Sequence, residues 1–347
     1  MHIESSSAAS WERRVLVPVD MTPESTRPCA GGRLAQWQGQ TMGTTWSVSA
    51  VVPSLSADAL SAAKVDLRIR EVLARVDAQM SNWRDDSDIT AFNRAAPQQW
   101  VSLPDDCFHV VATALRVARE SGGAYDAGAG PLVDLWGFGP APKRCSPPSA
   151  DEVHVTRLHA NSARVVLDEC GRRVQQPGGV SLDLCAIAKG FAVDAVSLAL
   201  THAGLTHHLV EVGGELRAEG VKPDGMPWWV EIESPEPGDL TRDVIALHGL
   251  SVATSGDYRR YFMDGGQRYA HTLDPRTGYP VAHALASVTV VHRECMMADA
   301  WATALTVLGP DAGMQLATAR GLAARFIVRL PDGFRDLSSP AYREMCS

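Results

Sequence analysis

"SVTVVHRECMMADAWATAL" (Ser287–Leu305) begins as an apolar strand and continues as a short helix built almost wholly of Met, Ala, Trp and Leu. Two polar residues, Asp299 and Thr303, interrupt the apolar run. A spacing of four places both side chains on one helix face, about one turn apart. The pair has two open interpretations. Asp299 could be a first-turn acid and Thr303 a core residue bonded to its own helix, or both could be oxygen ligands of a hard cation such as Mg2+.

Upstream of this segment, the chain reads as many short strands broken by a few helices. Alternation predicts a first strand over Trp46–Val52, and amphipathic patterns predict helices over Ala57–Met80 and Asp105–Gly123. A Pro/Ser-rich stretch, Ser146–Val153, is predicted to be a loop. Strands and helices do not alternate regularly, which favours an α+β protein with a mainly antiparallel sheet and packed helices. We expect one large domain over residues 36–347, after a flexible extension over residues 1–35.

Composition limits the class of protein. The 347 residues are 45% hydrophobic and 21% charged, enough for a sizeable core, and the net charge is −8. An acidic chain without a Lys/Arg run is a poor candidate for nucleic-acid binding. The seven cysteines form no CxxC pair, which argues against zinc and indicates free thiols. No stretch of eighteen apolar residues is present, so we expect no membrane-spanning helix.

Three further stretches could carry chemistry. Glu120–Pro140 holds six glycines in 21 residues but no dinucleotide-binding or P-loop motif, so it is either a set of turns or a binding loop. In the next stretch, a strand is predicted to end at Asp183 just before an apolar helix. Lys189 lies in that helix, where a charge is costly unless it is paired.

The roles of these polar residues stay open on this evidence alone. Asp183 and Lys189 could bind a ligand and its phosphate, or form an ion pair with each other. In Tyr269–Val281, His271 could be a general base or an ordinary histidine at the end of a strand, and Asp274 builds the turn that follows it.

Seven motifs in one order resemble the ApbE family of FAD:protein FMN transferases, over about residues 40–310. They are "TMGTTWSV", "MSNWRDDSDITAFN", "GAYDAGAGPLVDLWGFGP", "LDLCAIAKGFAVD", "LVEVGGELRAEG", "HTLDPRTGYPV" and the opening segment. The resemblance implies an ApbE-like fold and an Mg2+-dependent transfer of FMN from FAD to a threonine of a target flavoprotein. AMP is released, and the bond formed is a phosphoester. Implied acceptors carry a Thr-containing motif, as do subunits of membrane redox complexes.

The resemblance also implies site residues. The magnesium ligands would be Asp299, Thr303 and the backbone oxygen of Ala186, and His271 would act at the reaction centre. For the base that takes the acceptor proton, our hypothesis is His271, with Asp274 as the other candidate. The residues implied to bind FAD are Met42, Trp83, Ala124, Tyr125, Asp126, Asp183, Lys189 and Thr272.

Three features depart from the family pattern. Ala127 and Gly128 replace a proline and a threonine, and Cys185 stands where Gly or Ser is usual. Many relatives are exported lipoproteins, whereas this sequence shows no export signal and is expected in the cytoplasm. Two other activities fit the same residues: an Mg2+-dependent FAD pyrophosphatase that gives FMN and AMP, and a flavin carrier without turnover.

Overall fold

The computed structural model describes residues 13–19, 21–22, 26–54, 61–140, 142–144, 146–235, 240–257 and 261–346. The helices are α1 Ala62–Met80, α2 Asp88–Asn93, α3 Asp105–Glu120, α4 Gly130–Leu135, α5 Ala150–His159, α6 Ala188–His202, α7 Cys295–Arg320 and α8 Pro340–Glu344. The strands are β1 Arg13–Leu16, β2 Arg33–Thr41, β3 Thr44–Val52, β4 Trp100–Ser102, β5 Val166–Asp168, β6 Arg173–Gln175, β7 His208–Val212, β8 Glu215–Glu219, β9 Trp228–Glu231, β10 Arg242–Leu247, β11 Leu250–Gly256, β12 Tyr261–Asp264, β13 Gln267–Ala270, β14 Leu273–Asp274, β15 Tyr279–Pro280, β16 Leu285–His292, β17 Ala323–Leu330 and β18 Gly333–Ser338.

An eight-stranded sheet forms the centre of the molecule, in the order β18-β17-β16-β11-β8-β7-β3-β2. Every neighbouring pair in it is antiparallel. Strand β16 is buried along almost its whole length because both faces of the sheet are covered. The expectation of an α+β fold with a mainly antiparallel sheet is confirmed.

The two faces of the sheet carry separate apolar cores. On one face, Val288 and Val290 of β16 join the larger core, which also includes residues of α1, α3, α6 and α7. On the other face, Val291 joins a smaller core that includes residues of β9, β10 and α8. Successive side chains of a strand point to opposite faces, so β16 contributes to both cores.

The first residues described differ from the predicted extension. Residues 1–12 lie outside the described part of the chain, but Arg13–Leu16 forms β1, which pairs in parallel with β10. Arg14 bonds Asp243 in that pairing, and Leu16 is fully buried. The expected loose segment is therefore wrong for Arg13–Leu16, because charge pairing and burial hold this strand. Strand β2 also begins at Arg33, before the predicted domain boundary.

Three local predictions need correction. The predicted Pro/Ser loop is wrong after Ser149, which caps α5 together with Glu152 in a capping box. The segment that ends at Asp183 is not a strand, because its backbone bonds to side chains and loops instead of a sheet. The helix of the opening motif is longer than predicted, since α7 continues to Arg320 across a break at Gly309.

The predicted strand Trp46–Val52 and helix Asp105–Gly123 are found, with small shifts at their ends. Residues 57–60 of the predicted first helix lie outside the described residues, and α1 begins at Ala62. No helix in the described ranges has both the length and the apolar character needed to cross a bilayer. The six cysteines described are free, and Cys145 lies outside these ranges.

Candidate active site

A cavity of about 590 Å3 opens between the large sheet, the amino-terminal turns of α6 and α7, and the glycine-rich loop. Most of the residues singled out from the sequence line it. They are Trp83, Ala124, Tyr125, Asp126, Asp183, Ala186, Lys189, His271, Thr272, Asp299 and Thr303. Distant parts of the chain therefore meet at one place, as their motifs imply.

Two predicted residues do not line the cavity. Met42 lies in the β2–β3 turn with a positive φ of 45°, packed against the main core. Asp274 shapes the turn after β14, and both oxygens of its carboxylate bond the guanidinium of Arg276. Of the two candidate bases, only His271 faces the cavity.

The segment around Asp183 is fixed by two asparagines of the "MSNWRDDSDITAFN" motif. Asn82 and Asn93 both donate to the carbonyl of Leu182, and Asn93 also accepts from the Leu182 amide. Asp183 then donates its amide to Ala127 and accepts at Oδ1 from the Cys185 amide. This network replaces the sheet pairing that the sequence suggested and sets the Asp183 carboxyl at the cavity wall.

The glycine-rich loop is held by Asp126, which caps the turn over residues 127–129. Its Oδ1 accepts from the amides of Gly128 and Ser162. Burial raises the pKa of Asp126, and these hydrogen bonds oppose that rise. A Cβ at Gly128 would lie 2.6 Å from the Ser162 nitrogen, so the threonine that the resemblance implies at this position would not fit this backbone without a shift.

Tyr125 lies beneath this loop with 2% of its surface exposed. Its hydroxyl is buried and has no hydrogen-bond partner among the described residues. Burial, with the nearby carboxylates of Asp299 and Asp183, raises the pKa of Tyr125 well above its ordinary value. The tyrosine is therefore a neutral hydrogen-bond donor beside the cavity.

Lys189 is held by two carboxylates. Its Nζ lies 2.7 Å from Oε1 of Glu215 and 3.5 Å from Oδ2 of Asp299. Burial acts to lower the pKa of Lys189, but Asp299 and Glu215 outweigh it and raise that pKa above its usual value. The suggested ion pair with Asp183 is wrong, because Glu215 takes that place.

Glu215 is 5% exposed, and its second oxygen, Oε2, is buried without a partner in the described part of the chain. Burial raises the pKa of Glu215 to about 7, although Lys189 acts against this rise. Sequence reasoning missed this residue. The available signal was a single acid directly after Gly213-Gly214, in the turn of the β7–β8 hairpin.

Asp299 and Thr303 face the cavity from one side of α7. Oδ2 of Asp299 accepts from the Gly190 amide, and Oδ1 has no partner among the described residues. The Thr303 side chain makes no hydrogen bond in those ranges, whereas Thr306 on the same helix bonds the Ala302 carbonyl. The structure thus disfavours the interpretation of Thr303 as a residue bonded to its own helix.

These oxygens fit a hard divalent cation. The Asp299 carboxylate, the Thr303 hydroxyl and Ala186 all line the cavity, and Mg2+ prefers such oxygen ligands while keeping positions for water and phosphate. Within the described ranges, no cluster of three His, Cys, Asp or Glu side chains could hold a metal ion by itself. The predicted magnesium ligands, which are Asp299, Thr303 and the backbone oxygen of Ala186, include only one carboxylate.

The start of α7 is locked against α6. Asp194 of α6 accepts from the amides of Cys295 and Met296, which caps α7. A Cβ at Gly190 would lie 2.4 Å from the Cys295 carbonyl oxygen, so only glycine permits this approach. These contacts explain why Gly190 and Asp194 occur four residues apart in "AKGFAVD", and they bring Asp299 beside Lys189.

His271 follows β13 and is supported by aromatic rings. Its ring centroid lies 6.3 Å from that of Phe138, which stacks on Phe262 at 5.8 Å. Trp136 packs behind them and donates to the Gly278 carbonyl, which ties this cluster to the turn after β14. The histidine is thus carried to the cavity by a packed hairpin.

The chain resembles proteins of known activity along most of its length. The model of the ApbE family matches residues 42–326. The chain is 35% identical over 310 residues to an FAD:protein FMN transferase of Vibrio cholerae, covering 89% of this chain and 92% of that protein. It is 36% identical over 314 residues to one of Haemophilus influenzae, covering 88% and 90%. The apo flavinyl transferase ApbE of Pseudomonas stutzeri matches with a TM-score of 0.83 at 38% identity, covering 90% of this chain and 97% of that one.

Proposed function

Because the chain belongs to the ApbE family, we propose that it is an Mg2+-dependent FAD:protein FMN transferase. FMN passes from FAD to a threonine hydroxyl of a target flavoprotein, a phosphoester forms, and AMP leaves. The family and the names of its relatives support an enzyme that transfers flavin. The metal is inferred from the chemistry of the cavity, and the threonine acceptor and the release of AMP are what the resemblance to the family implies.

The charged residues that line the cavity support a requirement for a metal ion. Six carboxyl side chains and one lysine line the cavity, and no arginine does among the described residues; the acids are Asp126, Asp183, Glu215, Glu231, Glu233 and Asp299. A diphosphate would meet net repulsion there. A divalent cation held by Asp299 and Thr303 would place positive charge where the diphosphate binds, and Lys189 would add a fixed charge.

The substrate fits the remaining lining groups. Trp83 keeps 61% of its surface exposed at the cavity, so its ring is available to stack on a flavin or adenine. The orphaned Tyr125 hydroxyl and the Asp183 carboxyl supply hydrogen bonds in the interior. Bound Mg2+ supplies Lewis-acid neutralisation of the diphosphate charge.

In the proposed transfer step, one bond to phosphorus forms, one breaks, and a residue of the cavity takes the proton. The threonine oxygen bonds the phosphorus on the FMN side, and the bond from that phosphorus to the bridging oxygen breaks. AMP departs with the bridging oxygen. His271 takes the proton of the hydroxyl, because it is the cavity-facing candidate base and its ring is held by Phe138. Lys189 stays protonated throughout and faces the developing negative charge.

Incubation with FAD, Mg2+ and an acceptor tests this function. The probe is a soluble domain of a redox-complex subunit that carries the Thr-containing motif, with its Thr→Ala form as the control. We expect covalent flavin fluorescence on the threonine form alone and an equal amount of AMP. Free FMN with AMP and no labelled protein would establish the pyrophosphatase instead, and intact FAD would establish the carrier.

A further inference from the structure

The hairpin that leads into His271 has an exposed apolar face outside the FAD cavity. Strands β12 and β13 pair only with each other among the described residues, and Gly265-Gly266 join them with positive φ at both positions. An isolated two-stranded hairpin is marginally stable in water. This one is therefore held by contacts of its side chains with the rest of the protein.

The inner face supplies the anchor. Phe262 and Tyr269 stack at 5.1 Å, and Tyr269 lies 5.5 Å from Trp136. A second anchor comes from the outer face, where Arg268, opposite Met263, bonds the carboxylate and the carbonyl of Asp257, just after β11. The hairpin is therefore a fixed platform.

The outer face carries Tyr261 and Met263, which alternate with Phe262 along β12. They are 49% and 54% exposed, and the Arg268 guanidinium lies 4.2 Å from the centroid of the Tyr261 ring. Tyr261 pairs with Ala270, the residue before His271. The exposed face thus ends one residue from the group that faces the acceptor hydroxyl.

We propose that this outer face, Tyr261 and Met263, is the docking surface for the acceptor protein. The inference rests on the proposed function, because transfer to a protein requires a macromolecule to place a hydroxyl at His271. The occupant is an extended acceptor segment whose apolar side chain, near its threonine, covers Met263. Contact between this side chain and Met263 supplies affinity. Because the hairpin is already held in place, docking costs little conformational entropy of the enzyme.

The test separates docking from FAD chemistry. Met263→Glu replaces the exposed apolar side chain by a charge, and Met226→Glu makes the same change at a residue that is 47% exposed and does not line the cavity. With the acceptor domain described above, we expect Met263→Glu to raise the KM for acceptor by about tenfold or more. FAD affinity, measured by equilibrium dialysis, is unchanged in both variants, and Met263→Leu keeps a near-normal KM.

Other results would overturn the inference. An unchanged acceptor KM in Met263→Glu excludes docking on this face, and so does an equal rise in Met226→Glu, which indicates a general effect of charge. Loss of FAD binding in Met263→Glu would place the residue in the FAD site or the fold instead. If the wild-type protein labels no acceptor, the proposed function is wrong, and this inference, which rests on it, is wrong as well.

Discussion

The ammonium of Lys189 lies 2.7 Å from Oε1 of Glu215, and both residues belong to the wall of the cavity. The pairing holds the lysine as a positively charged group beside Asp299. It also leaves Oε2 of Glu215 buried without a partner in the described structure. Glu215 is thus a positioning residue for the lysine and part of the negative field around the proposed metal site.

Glu215→Gln is expected to raise the Mg2+ concentration needed for half-maximal transfer by about tenfold. Loss of this carboxylate weakens the negative field, and Lys189 is left to pair with Asp299, the proposed ligand. The measurement is a transfer assay titrated with Mg2+. Glu211→Gln, on the neighbouring strand, keeps an amide oxygen that accepts from Gly214, and its NH2 group can donate to the Ser47 hydroxyl, so it should behave as wild type. An unchanged Mg2+ requirement in Glu215→Gln would contradict this role.

Asp299→Asn should reduce transfer by about a hundredfold or more at limiting Mg2+, because it removes the only carboxylate of the ligand set. Asp311→Asn makes the same change at an exposed position of α7 and should leave the rate unchanged. Rates are compared over a range of Mg2+ concentrations. Near-normal transfer by Asp299→Asn at low Mg2+ is incompatible with the ligand assignment.

Gly190→Ala is expected to lower both stability and activity, because the new methyl group would meet the backbone of Cys295 and Met296. Overpacking of this kind costs about 1–3 kcal/mol. The same shift draws the Gly190 amide away from Asp299, so FAD affinity falls with stability. Thermal unfolding and FAD binding measure the two effects, and an unchanged melting temperature would show that α6 and α7 can separate freely.

His208 makes the stability of the folded protein depend on pH, independently of catalysis. It is fully buried, its Nε2 pairs with the Ser197 hydroxyl, and burial lowers its pKa to about 4. Above the unfolded pKa of 6.5, both states are neutral. Below it, only the unfolded state gains a proton, so stability is lost as pH falls toward 4.

Between pH 7 and pH 5 this histidine should account for a loss of about 2 kcal/mol of the free energy of unfolding. Urea unfolding of wild type and His208→Gln at both pH values measures it. The variant is expected to be less stable at pH 7 but to lose about 2 kcal/mol less on acidification. Equal losses in both proteins would show that His208 does not titrate as described.

Much of the fold followed from local patterns in the sequence. The amphipathic helices and the alternating strand over Trp46–Val52 were predictable because one face of each must be buried. The segment ending at Asp183 was not, because its backbone bonds are made by Asn82 and Asn93, about a hundred residues earlier. Local periodicity carries no information about such long-range partners.

In the candidate active site, too, local patterns reveal some residues and miss those whose partners are distant in sequence. Lys189, Asp299 and Thr303 stand out as polar residues in apolar helices, and the structure places all three at the cavity. An ion pair of Lys189 with Asp183 was one of two alternatives left open by the sequence, and it is wrong, since Asp183 is near in sequence whereas Glu215 is near in space. Asp194 was missed because a cap supplied by another helix leaves no mark in the sequence next to α7.

The metal position is the centre of this account, and a crystal grown with FAD and Mn2+ tests it most directly. Mn2+ prefers the same oxygen ligands as Mg2+ and gives an anomalous signal. We predict one peak, at about 2.1 Å from the Asp299 carboxylate and in contact with Thr303 and the diphosphate. A structure with FAD bound in the cavity and no peak between α7 and the diphosphate would contradict the account.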